Sequence, residues 1–189
     1  MVRYQLTRAL AFLWVRAGGL NSIRFTIPAA IALIFFAATK WTPADALWLT
    51  GGALAKSTVI LFAILPGFYL AALAAISTFQ STMLDQLVEN PGAKVKFLSK
   101  GKLEEVNLTY RIYLGLLFGY MSLLTFCLVF LTTISGDIAK AVWNKADSPT
   151  AAILTEAGEL FLTFLSMQMI ILTLHGIYFL AERMHRPSA

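Results

Sequence analysis

From Ser57 to Leu84 the chain carries no charged residue, and its first part, STVILFAILPGFYLAALAAISTF (Ser57–Phe79), is almost wholly apolar. A bilayer core is about 30 Å thick and an α-helix rises about 1.5 Å per residue, so a run of this length crosses it once. Inside lipid every backbone polar group must find a partner within the protein, which makes the run a helix. The residues leading into it, GGALAKST (Gly51–Thr58), look at first like a phosphate-binding loop. That loop needs glycines one and six positions before its lysine, and counting back from Lys56 those positions hold Ala55 and Thr50. The stretch therefore marks a helix entering a membrane.

Three further runs follow the same logic: Phe25–Thr39, Ile112–Ile134 and Leu160–Ala181. The first is the shortest, and the stems of Arg24 and Lys40 at its ends suit snorkelling to the headgroups. Overall 58% of residues are apolar, 13% are charged and the mean hydropathy is +0.73, too few charges to coat a soluble globule of 189 residues. The runs lack the alternation of a membrane barrel. The expected fold is all-α: one membrane domain, residues 1–189, with spans at 25–39, 57–79, 112–134 and 160–181 and a basic loop over 85–111.

Lysine and arginine are retained on the cytoplasmic side. Arg3, Arg8, Arg16, Arg24, Lys94, Lys96, Lys100, Lys102, Arg111, Arg183 and Arg186 place eleven positive residues on one side. Lys40, Lys56, Lys140 and Lys145 leave four on the other. Both termini are thus expected in the cytoplasm of a bacterial cell, with the protein in the inner membrane. Trp41, Trp48 and Trp143 fall on the outer side, and topology absorbs the net charge of +5 without any nucleic-acid partner.

The N-terminus does not read as a cleaved signal, because Arg16 follows its short apolar stretch and no small-residue cleavage site is present. Val2, Leu6, Leu10, Leu13, Trp14 and Ala17 share one helical face, with Gln5, Arg8 and Arg16 opposite, so residues 1–20 are expected to form an interfacial helix ended by Gly18-Gly19. Arg3 and Phe12 fit this pattern poorly. Between spans, small residues let helix backbones approach: Gly67, Ala71 and Ala75 follow Pro66 in the second, and Gly115, Gly119 and Ser122 form a ladder in the third.

The fourth span says most about function. Ser148-Pro149 is a helix start, and the helix is expected to run from Pro149 to about Arg183. Glu156, Glu159, Thr163, Ser166 and Thr173 form one polar stripe; Gln168, His175 and Glu182 form another, opposite. A helix polar on two faces cannot offer both to lipid, so a central position is expected. The plain reading is hydrogen bonding between helices. The functional reading makes the first stripe the wall of a water-filled path, with Glu156 and Glu159 at its outer mouth.

Catalysis finds little footing. His175 and His185 are the two histidines, Cys127 the one cysteine, and no HExxH or Ser/His/Asp arrangement stands out. No enzyme activity, metal or cofactor is expected. Glu104-Glu105 is expected at the start of the third helix. Lys94, Lys96, Lys100 and Lys102 suit anionic lipid or, as a sharper idea, a phosphate-bearing ligand such as a nucleotide or short oligonucleotide.

In the layout of MVRYQLTRALAFLWVR, four spans and the loop AKVKFLSKGK, the chain resembles small multi-span bacterial effectors of anti-phage defence, in particular the channel protein of the Hailong system. The resemblance is one of architecture. It implies an oligomeric membrane pore opened from the cytosol by a nucleic-acid-like ligand, and transfers no site residue. Two functions are carried forward: a homo-oligomeric channel gated by an anionic ligand, and a non-catalytic anchor or assembly subunit of a larger complex, such as a secretion or conjugation machine, docked to a cytosolic partner protein.

Overall fold

The computed structural model describes the backbone of residues 8–15, 19–39, 41, 53–78, 83–88, 93–99, 102–143 and 149–181. Four α-helices account for most of it: α1 (Ile27–Thr39), α2 (Ala53–Thr78), α3 (Tyr110–Trp143) and α4 (Pro149–Ala181). Three stretches, Lys56–Thr78, Tyr110–Ile134 and Glu156–Ala181, are long and apolar enough to cross a membrane. The apolar helix Ser22–Ala38 is shorter than these. Helix α4 begins at Pro149, as its missing N–H and fixed φ favour.

Helix α3 packs against both α2 and α4, and α1 lies against α4. Within the chain α3 is the most buried of the three long helices, rather than α4 as its two polar stripes suggest. Its Leu114, Leu117, Phe118, Met121 and Leu128 form the centre of the apolar core, joined by Tyr69 of α2 and Met169 and Leu172 of α4. Among the described glycines, the tightest surroundings are at Gly176. A Cβ there would lie 3.1 Å from the ring of Phe118.

Two elements differ from expectation. The basic loop is not irregular: Lys94–Ser99 (β1) and Lys102–Asn107 (β2) pair antiparallel, from Lys94 opposite Asn107 to Ser99 opposite Lys102. Glu104-Glu105 therefore lies in β2, and α3 starts only at Tyr110. The cause is legible in hindsight. KVKFLS and KLEEVN set charged against apolar positions with cross-strand lysine–glutamate pairs, a strand pattern obscured by the lysine count. Lys96 faces Glu105 in register, and Lys94 Nζ lies 3.7 Å from Glu105 Oε2. Asn107 and Thr109 fall at the hairpin's base.

That base is fastened to the bundle. Residues 84–88 run beside 108–111, with backbone bonds from Val88 N–H to Leu108 C=O and from Arg111 N–H to Leu84 C=O. Arg111 donates to both carboxylate oxygens of Asp85, at 2.7 and 3.2 Å, and to the carbonyl of Ile76 in the last turn of α2. A cation at a helix C-terminus satisfies carbonyls that the helix itself leaves open. The same bond holds the Asp85 carboxyl below the usual carboxylate range.

The described part of the N-terminal segment is a 3-10 helix, Ala9–Trp14, not an α-helix. Phe12, one of the two residues that fit the amphipathic pattern poorly, is fully buried against α3, while Trp14 is 71% exposed. Leu10 and Leu13 pack at the core's edge. Val2, Gln5, Leu6, Arg16, Ala17 and Gly18 lie outside the described residues. Gly19 turns the chain with φ +77°, a conformation that favours glycine.

Candidate functional site

Ser22–Thr26 is one turn of π-helix leading into α1, with the N–H of Ile27 donating to the carbonyl of Ser22. Pro28 explains part of this geometry. It has no N–H, so the carbonyl of Arg24, four residues earlier, loses its α-helical partner. Gln168 of α4 takes that place, its Nε2 donating to Arg24 C=O at 2.9 Å.

The Arg24 side chain is fully buried, which corrects the expectation that it snorkels to the headgroups. Its Nη1 donates to the carbonyls of Val15 (2.9 Å) and Leu13 (3.3 Å). The guanidinium lies 4.2 Å from the centre of the Phe12 ring, a cation–π contact. Phe12 in turn stacks on Tyr120 (5.4 Å between centroids) and meets Tyr113 (6.0 Å). Among the described residues, Nε and Nη2 of Arg24 have no hydrogen-bond partner, and no carboxylate forms an ion pair with it.

The second stripe of α4 faces this centre. Gln168 accepts from the Tyr120 hydroxyl at 3.0 Å, and His175 Nε2 is 2.8 Å from the Tyr113 hydroxyl. The His175 ring also lies edge-on to Phe179. Glu182 lies outside the described residues. Gln168 and His175 are thus brought together with Arg24, Tyr113, Tyr120 and Phe12, four residues that stripe reasoning passed over. Pro28 following Arg24 by four was the available signal.

The members of the first stripe differ in burial and in partners. Thr173 bonds to the Tyr69 hydroxyl of α2 at 2.6 Å and to Met169 C=O at 2.7 Å. Thr163 and Ser166 are buried, and their hydroxyls donate to carbonyls of their own helix, Glu159 C=O and Leu162 C=O. Glu159 is buried and Glu156 exposed.

Among the packing candidates, a Cβ added at Gly67, Gly115 or Gly119 would meet nothing of this chain. Ala71 is exposed and Ala75 half-buried; Ser122 is buried with an unpartnered hydroxyl. Cys127 is exposed on α3. Lys94 and Lys96 are exposed on β1, and Lys102 opens β2 at the other end of the hairpin from Lys94; Lys100 lies outside the described residues. Arg8 Nη1 donates to Lys96 C=O at 2.8 Å, so the N-terminal segment is tied to the hairpin as well as to α3.

These helices define a mostly helical protein with three candidate membrane spans and a polar, aromatic centre near the hairpin. No family model matches the chain, and no curated protein or solved structure matches it.

Proposed function

We propose that the chain is the subunit of a homo-oligomeric channel in a bacterial inner membrane, with α1 as a fourth, shorter span and both termini and the hairpin in the cytoplasm. The observation that carries the reading is Arg24. A buried cation inside a membrane bundle, with two donors unpartnered, is costly, and such residues mark ion or substrate pathways more than packing. The open space above Gly67, Gly115 and Gly119 supports assembly, since backbones of neighbouring copies can approach there. Control from the cytosol by an anionic ligand, nucleotide or oligonucleotide included, fits the hairpin lysines and the tie between Arg8 and the hairpin. A defence role rests on the architectural resemblance.

A second reading, a non-catalytic anchor or assembly subunit, is favoured by one observation: Gln168, Thr173 and His175 each find a partner within the same chain. Reconstitution separates the two. The channel reading expects a multimer by mass in nanodiscs, discrete conductance steps in planar bilayers, and altered conductance in Arg24→Gln. A monomer without conductance above the bare bilayer rejects it in favour of the anchor.

A further inference from the structure

The guanidinium of Arg24 has two edges able to bind an oxyanion in a fork. One is broken up because Nη1 is held by the carbonyls of Leu13 and Val15. The other, Nε with Nη2, is intact and unpartnered. Two parallel N–H groups on one edge match two oxygens of a phosphate. We propose that this edge is a binding site for a phosphate group, kept under a cover made by Phe12–Val15.

The cover is built from the same groups that hold the cation. Phe12 lies on the face of the guanidinium, and two carbonyls of the segment hold Nη1. Tyr113 and Tyr120, about one and three turns into α3, wall the site at the hairpin end of the bundle. The phosphate can come from a lipid headgroup or from free phosphate, and both offer the same oxygens. Neutralising the guanidinium removes much of its attraction to the carbonyls and to the Phe12 ring. Binding therefore loosens the 3-10 segment, which also holds the hairpin through Arg8. This deepens the channel reading by giving its anionic control a site, but the binding is tested without conductance.

The test uses the full chain with 15N-labelled arginine in nanodiscs. The Nε–H resonance of Arg24 is the one absent from Arg24→Lys. In phosphatidylcholine discs, inorganic phosphate at constant ionic strength should shift that resonance saturably, while sodium chloride should not. In discs containing phosphatidylglycerol, a resonance already shifted before phosphate is added, with the lipid retained in native mass spectra of wild type but lost from Arg24→Lys, identifies the headgroup as the source. Phe12→Leu, which thins the cover, should tighten phosphate binding roughly threefold or more. A wild-type resonance unmoved by phosphate and identical in both lipids overturns the site whether or not either variant folds. Conductance without phosphate binding rejects this proposal alone, and binding by a non-conducting protein rejects the channel alone.

Discussion

The two ends of the bundle are held by different chemistry. Towards the hairpin, side chains reach across helices: Tyr69 to Thr173, Tyr113 to His175, and Tyr120 to Gln168, which continues to the carbonyl of Arg24. Towards the opposite end, Thr163, Ser166 and Thr133 donate to carbonyls of their own helices. A hydroxyl satisfied within its own helix stays satisfied when a neighbouring helix moves. A tyrosine bonded across helices does not, and leaving it unpaired in lipid costs about 1–3 kcal/mol. A shift of α4 at Thr163 and Ser166 therefore strands neither of those two hydroxyls, whereas one at Gln168, Thr173 or His175 breaks a bond to another helix.

The largest effect expected from breaking this contrast is at Phe12. Phe12→Ala removes the ring packed between Arg24 and Tyr120 and should cost about 3–5 kcal/mol, read by reversible unfolding in mixed micelles. A cost below about 1 kcal/mol would mean that the N-terminal segment merely rests on the bundle.

Next come α4's contacts. Gly176→Leu forces a side chain against Phe118 and should destabilise by about 1–3 kcal/mol. Gly115→Ala should leave the single chain's stability unchanged, so that any effect appears in oligomer mass. Gln168→Leu strands the Tyr120 hydroxyl and the Arg24 carbonyl and should cost about 1–3 kcal/mol, against less than about 0.5 for Thr163→Val. Equal costs at 168 and 163 would erase the distinction between the ends.

The smallest effect is one of pH. The Asp85 carboxyl is held below its usual range by Arg111, so its contribution is fully present above the unfolded value, about 3.9, and is lost as pH falls through the lower folded value. Protection against hydrogen exchange at the base of the hairpin, taken relative to the intrinsic rate at each pH, should fall only under such acidic conditions. Asp85→Asn should remove that dependence and leave exchange at neutral pH slightly faster.

How much of this was legible depends on the physical signal. The long helices were, because uninterrupted apolar runs leave the backbone no other solution in lipid, and Ser148-Pro149 announces where α4 begins. The second stripe, Gln168 and His175, was legible as polar and as suited to hydrogen bonds between helices, but its partners were not, since they are tyrosines scattered through an apolar α3. Arg24 read as a snorkelling flank because position alone carries no information on what Pro28 does to its carbonyl. The hairpin was hidden by its own lysines: their number dominated the topology argument, while the alternation with Val95, Phe97 and Val106 was the local signal. Gly67, Gly115 and Gly119 stood out by spacing, yet the glycine that α3 and α4 require is Gly176, which belongs to no motif.

The central proposal, a channel that opens to water at Thr163 and Ser166 while the bonds across helices at Gln168 and Thr173 hold, is tested most directly by thiol accessibility in the reconstituted protein. In a Cys127→Ala background, single cysteines replace Thr163, Ser166, Gln168 and Thr173, and a membrane-impermeant thiol reagent is applied while current is recorded. The account predicts modification with loss of current at 163 and 166 and protection at 168 and 173. Modification at 168 and 173 with protection at 163 and 166 would contradict it.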